Sequence, residues 1–340
     1  MLGAVPPSPV RRFLGRLSPA ALRESGVMSE RLLRVTAMAN LVANIGIVVT
    51  GGAVRLTGSG LGCPTWPRCT AESLTTTKAM GVHGVIEFGN RTLNGALIVF
   101  MLAALLLAYL HRRGLGWAVA TLVGIPAQIV WGGLVVLSGL NPWLVGGHFL
   151  VSMGIIAAAY GFWRAAGPPS ANLPVPRELR WLGGAVVAAC LGVLVVGTMV
   201  TGSGPHAGDE HARRNGLDPA QIAQVHADLV FLVFGLAIAA WLALRAFGAT
   251  AGTRAAAILV VVLAAQGLIG FVQYFTHLPV ILVGAHMLGA ALAWVAALGL
   301  GWTLRPGAPA NAPAVRLQSA GRSREDNLTV ANAAGVPERS

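Results

Sequence analysis

The chain of 340 residues is 55% hydrophobic and only 11% charged, whereas a soluble globular domain carries about 25% charged residues. This composition excludes an ordinary soluble fold and predicts an all-α integral membrane protein. The formal net charge of +12 does not indicate a nucleic-acid partner. The arginines lie at the ends of apolar segments and in the two tails, which is the pattern of membrane topology signals.

Eight apolar segments are long enough to cross the lipid bilayer, since a spanning helix needs about 20 mostly apolar residues. In chain order we predict helices at 35–54, 82–110, 116–138, 144–164, 181–201, 221–244, 255–275 and 279–303. Residues 1–34 form a basic tail without the apolar core of a cleavable signal peptide. Residues 305–340 form a polar tail that we expect to be disordered.

The distribution of cations predicts the orientation of these helices. If the segments alternate across the membrane, most arginines fall on one side, in both tails and in the loops beside Arg112, Arg164 and Arg245. The opposite side carries Arg55, Arg68, Lys78, Arg213 and Arg214. By the positive-inside rule, we predict a multi-pass cell-membrane protein with both termini in the cytoplasm.

Two cysteines enclose a short segment of the first outward loop. Cys63 and Cys69 flank the sequence PTWPR. In an oxidising compartment such a pair indicates a disulfide, whereas in the cytosol it would suggest metal or redox chemistry. We therefore predict a disulfide between Cys63 and Cys69. Cys190 lies in an apolar run and is predicted to be a packing residue.

An internal repeat divides the chain into two halves. Residues of helices three and four recur at a constant offset in helices seven and eight (286 − 148 = 138). They are Gln128, Gly132, Leu144, Val145, Gly146 and His148, which recur as Gln266, Gly270, Leu282, Val283, Gly284 and His286. The segment 57–60 likewise recurs as 201–204. We predict two pseudo-twofold-related four-helix bundles, residues 35–165 and 181–304, whose interiors suit cofactors.

Three histidines lie inside predicted helices at a common depth. His148, His226 and His286 are about 8–10 Å below the outer edge, at roughly 1.5 Å per residue. Ionisable groups in membrane helices are costly and usually functional, and histidines on facing helices bind heme iron. We predict that His226 and His286 hold one heme as an axial pair. The histidines predicted to be solvated are His111, His206, His211 and His277.

The first half lacks a second histidine at the matching position. His148 corresponds to His286, but the residue that corresponds to His226 is Asn90, and asparagine is a poor iron ligand. The first half therefore either leaves iron open on one side or uses His83, which lies two turns closer to the outside on the same face.

A charged pair, Glu87 and Arg91, flanks Asn90 on helix two. One interpretation is an ion pair at i,i+4 that neutralises itself in the bilayer. The other is a carboxylate beside a reactive centre, with Arg91 near a heme propionate. We favour a division of labour in which the second half transfers electrons and the first half reacts. Asp228 points away from His226 and is predicted to serve helix packing or to pair with an arginine or histidine.

The sequence resembles the heme A synthase family over residues 35–304. The segments that carry the resemblance are 51–67 (GGAVRLTGSGLGCPTWP), 87–91 (EFGNR), 147–148, 201–209 (TGSGPHAGD), 225–226 and 285–286. The chain departs from the family pattern Glu-x-x-His-Arg at Asn90. It also lacks the second cysteine pair that members often carry after helix five, whereas Cys63 and Cys69 match the first pair.

The resemblance implies an enzyme of heme biosynthesis that oxidises a ring methyl of heme O to the formyl group of heme A, for use by terminal oxidases. It implies a heme b between His226 and His286, a substrate site at His148 and Asn90, and catalytic roles for Glu87 and Arg91 in the first half. The expected partners are heme O, the bilayer, heme O synthase and oxidase assembly factors.

Two other functions fit parts of the pattern. A diheme membrane cytochrome b would relay electrons to or from quinone, but it would saturate both hemes, so Glu87 and the unequal halves favour the enzyme. A heme or small-molecule transporter would show broken helices near the midplane, which the sequence does not indicate.

Overall fold

The computed structural model describes residues 29–168 and 174–305, and within these ranges it is all-helical. The eight long helices are α1 (Glu30–Leu56), α2 (Gly81–His111), α3 (Leu115–Leu137), α4 (Pro142–Ala166), α5 (Arg177–Ser203), α6 (Pro219–Ala246), α7 (Thr250–Phe275) and α8 (Val280–Thr303). A short 3₁₀ helix, Lys78–Met80, precedes α2. All eight are long and apolar enough to cross a membrane. The prediction of an all-α, eight-span membrane protein is confirmed.

The helix ends differ from the predicted spans where polar residues continue a helix. The predicted N-terminal tail ends at residue 34, but α1 already begins at Glu30, because charged residues prolong the helix beyond the apolar run. Other ends are set by capping residues. Asn141 and Asp218 accept backbone hydrogen bonds from the first turns of α4 and α6, each of which has proline at its first position. The predicted C-terminal tail from residue 306 lies outside the described residues.

Within each half, the four helices form a closed ring. In the first half α1 contacts α2 and α4, and α3 contacts α2 and α4. In the second half α5 contacts α6 and α8, and α7 contacts α6 and α8. Contacts between α4 and α5, α8 and α1, and α8 and α4 join the halves. The Trp294 indole donates to the carbonyl of Met153 at 2.9 Å across this central contact. In each ring, the second and fourth helices face each other diagonally.

Candidate heme-binding sites

The second half brings two of the predicted histidines together. His226 on α6 and His286 on α8 have ring centres 6.4 Å apart, with ring planes at 65°. Metal–nitrogen bonds to histidine are about 2 Å long, so two axial imidazoles have ring centres roughly 6 Å apart. The observed spacing therefore matches the space that one iron atom requires between the two rings.

A glycine on a neighbouring helix receives each buried histidine ring. His226 packs on Gly197 of α5 and His286 on Gly270 of α7; in the first half, His148 packs likewise on Gly132 of α3. A Cβ added at any of these glycines would lie 3.2 Å from the ring Cε1 atom. The absence of a side chain thus allows the imidazole to lie against the helix backbone.

The hydrogen bonding of these rings is incomplete in a way that fits metal ligands. The Nδ1 atoms of His148 and His286 are buried and have no hydrogen-bond partner among the described residues. The Nδ1 atom of His226 is likewise buried and has no partner there. The ring edge of His226 and of His286 that carries Nδ1 and Cε1 faces its glycine, so the opposite nitrogen, Nε2, is the one available to bind iron. The residues present fit heme.

Two glutamines related by the repeat hold the histidine-bearing helices in place. The Gln128 amide donates to the carbonyl of His148 at 2.7 Å, and the Gln266 amide donates to the carbonyl of His286 at 2.8 Å. Gln128 also donates to the hydroxyl of Ser152. The repeat predicted these glutamines as equivalent positions without assigning them a role, and the structure shows that they join α3 to α4 and α7 to α8.

The glycine contact leads to a prediction about heme retention. Gly270→Val is expected to displace the His286 ring and to remove most of the low-spin heme from the purified protein, because the added atoms need the space that the imidazole fills. Gly267→Val on the same helix is the matched control, since a Cβ there meets nothing within 4 Å. The measurement is the reduced-minus-oxidised spectrum per unit of protein, and equal heme content in the two variants would contradict the prediction.

The first half has a different arrangement around Asn90. The Asn90 side-chain oxygen accepts a hydrogen bond of 2.8 Å from the Thr50 hydroxyl on α1. His83, the alternative ligand, is exposed, and its Nδ1 lies 2.9 Å from the hydroxyl oxygen of Ser59. His83 is therefore attached to the outer loop. Among the described residues, the first half shows no histidine pair like that of the second half.

Glu87 is buried, and both of its carboxylate oxygens accept hydrogen bonds. The residue is only 5% exposed. One carboxylate oxygen accepts a hydrogen bond from Arg91 Nη2 at 2.6 Å, and the other accepts one from the backbone N–H of Cys63 at 2.6 Å. The predicted i,i+4 ion pair is present, and the carboxylate also binds the outer loop. No pattern in the sequence indicated that second contact.

Arg91 binds the disulfide loop, defined here as residues 63–69. Its guanidinium donates to the carbonyls of Cys63 and Thr65 at 2.9 and 3.0 Å. Trp66 of the same loop packs on α3, where a Cβ at Gly133 would lie 2.5 Å from its ring. Gly133 adjoins the glycine that receives His148. The disulfide loop is therefore attached to α2 and α3 at the end of the first bundle where α2 begins and α3 ends.

Cys63 and Cys69 form the predicted disulfide. Mass spectrometry of non-reduced protein is expected to find one peptide pair joined through these cysteines, with Cys190 as a free thiol. Cys190 is buried in the helix core, in agreement with its predicted packing role. Closing so short a loop contributes about 2–3 kcal/mol to local order. Detection of both loop thiols in the free form would contradict the assignment.

The structure corrects the predictions for three other polar residues, which are Asp228, His206 and His111. Asp228 is paired with a glutamine, because the amide of Gln224 donates to it at 2.7 Å from one helical turn away. His206 is partly buried, with Nε2 2.9 Å from the carbonyl oxygen of Leu278, and His111 is also partly buried. Local helix geometry and loop packing, neither visible in hydropathy, produce these contacts. His211 and His277 are exposed as predicted.

Comparison with known proteins places these features in a family. Residues 34–298 match the family described as COX15-CtaA, cytochrome oxidase assembly protein. A protein named heme A synthase from Azorhizobium caulinodans is 25% identical over 340 residues, which cover 83% of this chain and 95% of the relative.

Two further relatives match over a shorter region. Proteins named heme A synthase from Geobacillus kaustophilus and Geobacillus thermodenitrificans are 31% and 29% identical over 141 and 143 residues. Each of these matches covers 40% of this chain, and the chain spans only 42% of the length of either Geobacillus relative.

Proposed function

Because this chain belongs to the cytochrome oxidase assembly protein family, we propose that it is a heme A synthase, which oxidises a ring methyl of heme O to the formyl group of heme A. The observation that carries the proposal is the inequality of its two bundles. The second contains a histidine pair at iron-binding distance. The first contains His148 and has Asn90 at the position that corresponds to His226, with the buried carboxylate of Glu87 one turn before Asn90.

In this proposal the second bundle holds heme b through His226 and His286. Heme b held by these two imidazoles would supply electron transfer. The chain orients the two ligands through the glycine contacts and through the Gln266 amide, which holds the backbone of His286. This rigid support suits a site that changes oxidation state while keeping its ligands.

The first bundle is the proposed substrate site. His148 binds the iron of heme O from one side. Asn90 lies on α2, and its side-chain oxygen is already engaged by the Thr50 hydroxyl. An amide held in this way is a poor ligand, so the iron keeps one side available for reaction. Asn90 and Thr50 thereby distinguish the substrate site from the saturated site in the second half.

Glu87 and Arg91 are the proposed catalytic residues of the first bundle. Oxidation of the methyl to a formyl group passes electrons to an external acceptor, releases protons and adds one oxygen atom, and positive charge develops on carbon as the electrons leave. A buried carboxylate can accept such a proton or stabilise that charge. Arg91 holds one oxygen of this carboxylate, while the loop N–H of Cys63 holds the other. These bonds secure the disulfide loop beside the carboxylate.

The proposed setting is the cell membrane, with both termini in the cytoplasm and the disulfide loop outside. Heme O is hydrophobic and enters from the bilayer. Heme O synthase and oxidase assembly factors are the proposed partners, since they would supply the substrate and use the product. The exposed apolar side chains along the helices suit contact with lipid and with membrane-bound partners of this kind.

The absorption spectrum and the extracted pigments of the purified protein test this function. We expect a low-spin heme b together with bound heme O or heme A. Heme b alone in a host that makes heme O would instead favour a diheme cytochrome b, and protein without any heme would favour a transporter. Neither of these outcomes is compatible with the proposed enzyme.

A further inference from the structure

A partly buried arginine connects the two halves at the outer face. Arg55, at the outer end of α1, donates to the carbonyl of Thr201 at the end of α5 at 2.8 Å. Its Nε atom is buried and has no hydrogen-bond partner within the described ranges. Arg214, from the outer loop after α5, lies close enough to repel it electrostatically. A buried guanidinium donor without a partner, beside a second arginine that is exposed, favours the binding of an anion.

The described residues do not supply that anion. Neither Arg55 nor Arg214 forms a salt bridge in the part of the chain that the structure describes. Arg214 donates to the carbonyls of Ala212 and Pro205, which are neutral. Asp209 is an acidic residue of the same loop as Arg214. It accepts a hydrogen bond from the backbone N–H of His211. The positive charge at this position is therefore not balanced by a carboxylate of the described chain.

Contacts on two sides fix the level of Arg55 relative to the histidine pair. Thr201, its partner, follows Gly197 by one turn of α5, and Gly197 receives the His226 ring. On the other side, Gly52 of α1 packs on Met287, the residue after His286. The guanidinium is thus about one helical turn, roughly 5–6 Å, outward of the level of the imidazoles.

We propose that Arg55 and Arg214 bind the propionates of the heme held by His226 and His286. This inference rests on the proposed function, because it needs that heme to be present. Propionates are charged and avoid the bilayer core, so they point outward from axial ligands at this depth. Arginine suits them because its planar guanidinium matches a carboxylate.

The repeat explains why this site belongs to only one heme. The offset that relates Thr57 to Thr201 assigns Met199 to the position of Arg55 (199 − 55 = 144). Methionine carries no charge, so the first bundle has no equivalent cation from the second half. The first bundle instead has Arg91, whose donors are occupied by the disulfide loop and Glu87. The pair Arg55 and Arg214 therefore distinguishes the heme that stays bound from the substrate heme that is exchanged.

The test compares holoprotein variants by redox titration of the low-spin heme and by its transfer to excess apomyoglobin. Arg55→Gln and Arg214→Gln should each lower the midpoint potential, because a cation beside the propionates favours the reduced heme. Each should also speed heme release about tenfold or more, as expected for loss of a hydrogen bond between charged groups. Arg55→Lys should keep most of the potential, since it preserves the charge. Arg213→Gln, at an exposed neighbouring position, is the matched control.

The outcomes separate this inference from the function on which it rests. Wild-type protein without low-spin heme would overturn both. Wild-type protein with the heme, but with Arg55→Gln and Arg214→Gln potentials equal to that of Arg213→Gln, would overturn the propionate site alone. A purely structural role for Arg55 would make Arg55→Lys as disruptive as Arg55→Gln in both measurements, and this too would overturn it. If Arg55→Gln does not accumulate, Arg214→Gln and Arg55→Lys decide the question.

Discussion

Replacing either His226 or His286 with alanine is expected to abolish the low-spin heme signal of the purified protein. The two rings face each other across the second bundle, 6.4 Å between centres, and each supplies one of two axial ligands in the proposed site. Loss of one ligand leaves the iron unsaturated, and a low-spin bis-histidine spectrum requires both. The measurement is the low-temperature absorption or electron paramagnetic resonance spectrum of each variant.

The control for this prediction is His211→Ala. The side chain of His211 is 93% exposed in an outer loop and pairs with Asp209, so its removal should leave the spectrum unchanged. Protein yield and detergent-solubilised size should be followed in all three variants to verify that the fold persists. An unaltered low-spin signal in both His226→Ala and His286→Ala would refute the ligand assignment.

Replacing Glu87 should reduce the conversion of heme O to heme A by about 100-fold or more, as expected for loss of a positioned acid–base group. Glu87→Gln is the sharper variant, because the amide oxygen can still accept the hydrogen bond from Cys63 N–H. The readout is the ratio of heme A to heme O in membranes that contain the variant and a heme O source. Protein level and the low-spin heme of the second bundle should stay near wild type.

Arg91→Gln separates the chemistry of Glu87 from its attachment to the loop. This change removes the guanidinium that holds the carbonyls of Cys63 and Thr65, and it leaves the carboxylate in place. If Glu87 acts on the substrate, Glu87→Gln should impair conversion more severely than Arg91→Gln. A heme ratio near wild type in Glu87→Gln would mean that the two residues only form an intramembrane ion pair that secures the loop.

The fold was predictable because hydropathy reports the bilayer directly. Every described long helix matches one predicted span, since about 20 apolar residues are needed to cross the hydrocarbon core. Only the spans 116–138 and 279–303 extend beyond their helices, each by one residue. Hydropathy does not report where a helix ends in the polar region. The charged start of α1 at Glu30 and the capped start of α6 after Asp218 therefore lie outside the predicted spans. Capping and polar continuation act beyond the apolar run.

The internal repeat made one histidine of each candidate heme site predictable. A constant offset matched His148 to His286 and also matched the glycines and glutamines that support them. The offset identifies equivalent positions, but the contacts of Gly132 and Gly270 with the imidazole rings depend on packing between helices. Gly197, which receives His226, is not among the repeated residues, so nothing in the sequence pattern distinguished it from other helix glycines.

The contacts that the sequence could not predict join residues far apart in the chain. Glu87 lies beside Arg91 in any helix, but its bond to Cys63 depends on how the disulfide loop folds back over α2. Arg55 counted at first only as a topology signal. The structure places it between the two halves, with a buried donor atom and another arginine nearby.

The most direct test of the proposed activity is heme A formation in a host that makes heme O but no heme A. Membranes with and without the wild-type chain should be extracted and their pigments separated by chromatography and identified by mass. The proposal predicts heme A only in membranes that contain the chain, with a matching fall in heme O. Unchanged heme O and no heme A, in membranes where the protein carries its low-spin heme, would contradict the assignment as a heme A synthase.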